Sequence, residues 1–301
     1  MDLKSYQVIL DTDIGDDIDD AFALALAIKK EVPLLAVTTV FKNTALRAKQ
    51  AREMLTISGL NIPVYAGEVY PLNGVITGFQ SDSGDLATIK PCQYGDEMAH
   101  YSFGLNASEM IVRLAKTYTK KLILVTIGPL TNIAKALEVD LSIACDIKAI
   151  YAMGGCYTRV QPEWNVLCDV EAYDKVFASG IPFYGVGLDM TLQCPLEEDL
   201  FSSLKASKDP INQKIMIWFD RWVNYFHFEK SVLHDPLALS SLIEDDICTF
   251  TPKYAKVILE GEQRSAILTS DEPLPGYYLI NAATSVNKNK FYDLIKKTFL
   301  N

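Results

Sequence analysis

The sequence predicts an α/β fold: one domain over residues 1–301, with a Rossmann-like, mostly parallel central sheet and helices on both faces. Three observations predict it. Apolar runs of strand length alternate with helix-like runs, which calls for crossover connections and therefore parallel pairing. No low-complexity linker, charge block or internal repeat divides the chain. Polar motifs follow the strand-like runs, and in such sheets ligands bind outside the carboxyl ends of the strands.

Taken in order, Tyr6-Gln7-Val8-Ile9-Leu10 reads as a short buried strand, and Ala21 to Ile28 as a buried helix of good helix formers. Further buried strands are expected over Leu34 to Val40, Lys121 to Ile127, Ile147 to Met153 and Ile181 to Leu188. Trp218, Trp222, Tyr225, Phe226 and Phe228 recur at helical spacing, the pattern of a core-facing helix. The polar motifs at strand ends are an acidic loop, Thr38-Thr39-Val40-Phe41-Lys42-Asn43, Gly128-Pro129-Leu130-Thr131-Asn132 and Met153-Gly154-Gly155. Glu163-Trp164-Asn165 and His234-Asp235-Pro236 complete the set.

The acidic loop carries the most chemistry. Asp11, Asp13, Asp16, Asp17, Asp19 and Asp20 fall within ten residues, between a strand and a helix. At an effective dielectric of about 20, two carboxylates ~5 Å apart repel by roughly 3 kcal/mol. Helix capping and the helix dipole use only one or two such side chains. The remainder call for a hard cation bound through oxygen, and a flexible loop offering many oxygens suits Ca²⁺. An EF-hand is excluded: counted from Asp11, its sixth and twelfth positions hold Asp16 and Phe22 rather than Gly and Glu.

Composition bounds the partners. A formal net charge of −10 argues against binding to nucleic acid or to an anionic membrane surface. The first strand follows Met1-Asp2-Leu3-Lys4 with no room for a signal peptide, and no apolar run approaches the ~20 residues of a membrane span, so a cytoplasmic location is expected. The cysteines, Cys92, Cys145, Cys156, Cys168, Cys194 and Cys248, form no C-x-x-C pair and read as reduced thiols.

Read together, these motifs resemble those of the nucleoside hydrolases of the inosine-uridine preferring family. The D-T-D-x-G loop ending in Asp19-Asp20-Ala21, T-T-V-F-x-N, G-P-L-T-N-I-A, M-G-G, E-W-N-V-x-x-D-x-E-A and H-D-P-L-A occur in the family's order, from about residue 7 to residue 240. The resemblance implies a Ca²⁺-dependent hydrolase that splits the N-glycosidic bond of ribonucleosides into ribose and free base. It places metal ligands on Asp13, Asp20, Asp235 and the backbone carbonyl of Ile127, with Asp13 also the general base. Ribose contacts fall on Asp19, Asn43, Glu163 and Asn165, Met153 lines the same pocket, and Asp11 is a supporting acid. The expected partners are a small-molecule ribonucleoside and further copies of the chain, in a homodimer or homotetramer.

These residue types suit the reaction. Glycosidic cleavage passes through an oxocarbenium-like state, which carboxylates and amide oxygens near the sugar stabilise. Asp13, beside a cation, is expected to have a depressed pKa. His234, the one histidine next to a predicted site residue, is the candidate acid for the leaving base. Asn132 reads as an ordinary turn or cap residue, and Trp164 as a buried anchor between Glu163 and Asn165.

The chain also departs from the family pattern. The acidic loop is lengthened by Asp16 and Asp17, so that Asp17 competes with Asp19 for the metal or ribose role. Lys42 stands where Gly is frequent, and the stretch from Met153 to Glu163 is short. The segment from Val75 to Leu105, where members often carry a base-contacting histidine, has only His100. Base preference is not readable. Two alternatives stand beside this reading: a haloacid-dehalogenase-like phosphatase, which would need Thr or Val where Gly15 stands, and a relative that binds Ca²⁺ and a riboside without turnover.

Overall fold

The computed structural model of the chain describes residues 3–74, 85–228 and 230–300. Its strands are β1 Gln7–Thr12, β2 Leu34–Thr39, β3 Val64–Ala66, β4 Leu122–Thr126, β5 Ile147–Met153, β6 Phe183–Val186, β7 Cys248–Val257, β8 Ile267–Ser270 and β9 Tyr278–Val286. Its helices are α1 Asp19–Lys29, α2 Thr44–Ile57, α3 Ala107–Thr117, α4 Thr131–Val139, α5 Trp164–Cys168, α6 Val170–Ala178, α7 Leu188–Thr191, α8 Glu198–Ala206, α9 Pro210–Phe226, α10 His234–Ile243 and α11 Lys288–Phe299. The five expected strands are all present, each within two residues or so of the expected ends. The expected helix lies inside α1.

The strands join in one sheet of nine, ordered β3-β2-β1-β4-β5-β6-β9-β7-β8. Pairing is parallel from β3 through β9, and β7 alone runs antiparallel to both its neighbours. Alternate residues of the central strands feed two cores. Val8 and Leu10 of β1, with Ile123 and Val125 of β4, face a cluster built from α1, α2, α9, α10 and α11. Ile9 and Leu124 point the other way, onto α3, α4 and α6. A sheet covered on both faces explains why its strands read as continuous apolar runs.

Strand order reverses between β1 and β4, which lie side by side while β2 and β5 flank them. Connections leave such a point in opposite directions and open a crevice at the strand ends. Asp13 follows β1, and Ile127 follows β4. Among the described residues no helix is long and apolar enough to cross a membrane.

Candidate active site

Thr12, the last residue of β1, ties the acidic loop to the helix it feeds. Its hydroxyl donates to the Asp20 carboxylate in the first turn of α1 and accepts from the backbone N–H of Ile14 at 3.1 Å. Asp11, inside the strand, is fully enclosed and accepts from the Thr38 hydroxyl at 2.5 Å and the Asn132 amide at 2.6 Å. Burial nonetheless pushes its carboxyl up to about 7. The Asn132 amide also donates to the Thr39 carbonyl, and its oxygen accepts from the Glu68 N–H. Asn132 is thus no ordinary turn residue. It joins β1, β2 and the loop after β3.

The lengthened part of the loop is held by groups the sequence did not single out. Arg47, on α2, is completely buried (0% exposed). Its guanidinium donates to the backbone carbonyls of Phe41, Asp13 and Ile14 and to the Asp16 carboxylate, the last at 2.9 Å. Lys42 joins Asp16 at 3.1 Å. On the other side the Gln93 side chain donates to the carbonyls of Asp16 and Asp17, while its backbone N–H donates to Gly15. Asp16 is therefore spent on Arg47 and Lys42, and Asp17 stands exposed at the cavity mouth. Phe41 and Lys42 both adopt positive φ, 66° and 57°. That backbone region favours glycine, and here Phe41 and Lys42 occupy it.

The remaining acids converge. A cavity of about 230 Å³ is lined by Asp13, Asp16, Asp17, Asp19, Asp20, Ile127, Met153, Pro162, Glu163, Trp164, Asn165, Leu188, His234 and Asp235. Carboxylate oxygens of Asp19, Asp20 and Asp235 lie within 4.8 Å of one another. Burial, then mutual repulsion, holds Asp20 and Asp235 far above the usual carboxylate range. Burial likewise raises Asp13 to about 6, against the pull of the Arg47 guanidinium. From protein groups alone this direction is opposite to the one expected beside a cation. A hard divalent ion would reverse it, and an all-oxygen donor set with crowded, buried carboxylates fits such an ion. The tightest three include Asp19, expected on ribose, in place of Asp13, expected on the metal.

The far wall comes from the short helix α5. Both oxygens of Glu163 cap it, accepting from the N–H groups of Asn165 (3.0 Å), Val166 (3.1 Å) and Gly155 (2.9 Å). The Asn165 amide donates to the Ile127 carbonyl at 3.1 Å and to the Met153 carbonyl at 3.2 Å. Trp164, between them, is 38% exposed on the cavity rim, not the buried anchor expected. Gly128 leaves no room for a Cβ, which would meet Asp13 Oδ1 at 2.8 Å and Val40 at 2.9 Å.

His234 opens α10 at the cavity wall and places its Nδ1 2.6 Å from the Thr191 hydroxyl. Burial favours its neutral ring, and Asp17 favours the charged one. The N–H of Asp235 donates to Asp19 at 3.1 Å, which links α10 to α1.

One expected ribose contact falls elsewhere. Asn43 caps α2, accepting from Leu46 N–H at 3.1 Å, and is not among the lining residues. The aromatic run, expected to face the core, does so only in part. Trp218 and Trp222 are core, whereas Tyr225, Phe226 and Phe228 are exposed, and none lines the cavity. His100 is exposed beside Tyr101, and residues 75–84 of the segment expected to carry a base loop lie outside the described residues.

The chain is similar to known proteins over nearly its whole length. Residues 8–293 match the family model described as inosine-uridine preferring nucleoside hydrolase. Uridine nucleosidase 1 of Arabidopsis thaliana is 27% identical, over 97% of this chain and 93% of its own. The pyrimidine-specific ribonucleoside hydrolase RihA of Shewanella woodyi is 29% identical over 88% of each. A solved plant nucleoside hydrolase superposes with a TM-score of 0.81 at 23% identity, over 98% of this chain and 99% of that one, which shows a shared fold. The family match takes in the acidic loop and the His234 motif together, which sets aside the phosphatase alternative. The chain belongs to the inosine-uridine preferring nucleoside hydrolase family.

Proposed function

We propose that the chain hydrolyses the N-glycosidic bond of ribonucleosides in a Ca²⁺-dependent reaction, releasing ribose and free base. The observation that carries this reading is the convergence of Asp13, Asp19, Asp20, Asp235, Glu163, Asn165 and His234 on one cavity at the sheet's reversal point. Asp19, Asp20 and Asp235, with Asp13 and the Ile127 carbonyl, are the oxygens that would hold the ion. When bound, such a cation orients and polarises the attacking water.

The protein's own groups do the rest. Asp13 accepts a proton from the water as its oxygen bonds to the anomeric carbon. Asp19, Glu163 and Asn165 face the ribose hydroxyls, and the carboxylates stabilise positive charge on the sugar as the bond to the base breaks. His234 delivers a proton to the departing base. Asn43 contributes by capping α2 rather than by touching the sugar. The names of the two curated relatives put uridine first among substrates to try.

The test is release of reducing sugar from a panel of nucleosides and other N-ribosides, before and after chelation and again with added Ca²⁺. Ribosides should be cleaved, 2′-deoxyribosides should be poorer by about 10⁴, because unpaired polar groups would be left in the site, and chelation should abolish turnover reversibly. No sugar released from any riboside would refute the hydrolase reading. Full activity with metal content verified as zero would remove the cation from it.

A further inference from the structure

We infer that Gln93 is a positioning residue for the cation site: it holds the two extra residues of the acidic loop so that Asp13, Asp19 and Asp20 stand ready for the ion before it binds. The inference rests on the reading of those acids as ligands. Every backbone carbonyl from Asp13 to Ile18 accepts a hydrogen bond. Arg47 takes those of Asp13 and Ile14, and Ala21 N–H takes that of Ile18 as α1 begins. The three between fall to one residue. Gln93 N–H donates to Gly15 at 3.0 Å, and its side-chain amide donates to Asp16 at 3.2 Å and to Asp17 at 2.6 Å. These bonds direct the loop's carbonyls to Arg47 and Gln93, while its acids line the cavity.

Gln93 is itself fixed. It is 0% exposed, its side-chain oxygen accepts from the Gln50 amide of α2 at 2.9 Å, and its carbonyl accepts from the Arg221 guanidinium of α9 at 2.8 Å. Only one orientation of its amide serves, because an oxygen turned toward the carbonyls of Asp16 and Asp17 would repel both. The chain beside it packs against the loop as well. The Cys92 thiol reaches the carbonyls of Gly15 and Asp16, and a Cβ on Gly15 would meet Pro91 Cβ at 2.7 Å and Gln50 Oε1 at 2.8 Å. A loop held in this way does not have to be ordered by the ion. Partners that orient metal ligands from outside are worth about 10–100-fold in metal affinity.

The experiment compares the full chain with Gln93→Met, which keeps the length of the side chain and removes its donor. Calorimetric titration with Ca²⁺ should show affinity falling by about 10–100-fold. Hydrogen exchange over residues 14–18 in chelator should quicken, a readout that needs neither ion nor substrate. On uridine, the Ca²⁺ required for half-maximal turnover should rise by the same factor, far more than kcat at saturating Ca²⁺ falls. Gln50→Met, which leaves Gln93 in place and frees its amide to turn, should give a smaller loss in the same direction and serves if Gln93→Met does not fold. Ca²⁺ affinity equal to the parent's in Gln93→Met, or in Gln50→Met where it alone folds, overturns the inference. So does a loss confined to kcat, or loop exchange left unaltered. A parent chain that binds Ca²⁺ and releases no sugar refutes the hydrolase reading alone, whereas one that releases sugar and binds no Ca²⁺ overturns this inference.

Discussion

One loop contains the same side chain in two opposed situations. Asp11 and Asp16 have protein donors: Thr38 and Asn132 on one oxygen of the first, Arg47 and Lys42 for the second. Asp19 and Asp20 face each other and Asp235, with Asp13 in the same cavity. The first pair contributes to holding the loop in shape. The second group is held together against its own repulsion by the surrounding fold, the usual cost of a binding site. Residue type does not distinguish the two. Partners do, and partners come from α2, α4 and α10.

Four substitutions test that division. The largest effect is expected for Asp235→Asn, which should abolish measurable Ca²⁺ affinity in a calorimetric titration and lower kcat/KM by more than about 10⁴-fold, beyond the 10²–10⁴ typical of a lost general base. In the presence of chelator the same variant should melt above the parent chain, because one repelling charge is gone. A lower melting temperature would show that these acids are not in conflict.

Asp16→Asn should move stability the other way. It leaves the Arg47 guanidinium buried without its carboxylate, at a cost of about 3 kcal/mol in denaturant unfolding. An unchanged midpoint would mean that the carbonyls of Phe41, Asp13 and Ile14 satisfy Arg47 without Asp16. Asn132→Ala follows at about 2 kcal/mol, since it strips a donor from buried Asp11 and a partner from the Glu68 N–H. Thermal unfolding of the variant reads that loss directly.

The smallest effect belongs to Asn43→Ala. A lost helix N-cap costs about 1 kcal/mol, and the preference for ribosides over 2′-deoxyribosides should persist. Collapse of that preference would return Asn43 to the sugar and break the assignment made from its position on α2.

How far the residues themselves reached differs by region. β1, β2, β4, β5 and β6 were readable because burial on both faces makes each a continuous apolar run, as in Val8-Ile9-Leu10 and Leu122 to Val125, whereas β3, with only three residues, was not foreseen. β7, β8 and β9 escaped notice for the converse reason. β7 alternates between covered and exposed positions and contains Pro252, so its apolar signal is diluted. Arg47 was invisible in the same way: α2 also carries Lys49 and Arg52, and nothing local says which cation is enclosed.

The sequence by itself determined the order of strands and helices, the crowding of acids into one turn after β1, and the motifs that identify the family. Those are properties of neighbours along the chain, where spacing and residue type suffice. Only the tertiary structure decided which acids meet. It brought Asp235 to Asp19 and Asp20 across more than two hundred residues, gave Asp16 to Arg47, withdrew Asn43 to a helix cap and set Thr191 against His234. Each of these depends on which element packs beside which. That is settled by burying whole faces of α1, α2, α7 and α10 against the sheet, a condition that no short stretch of sequence contains.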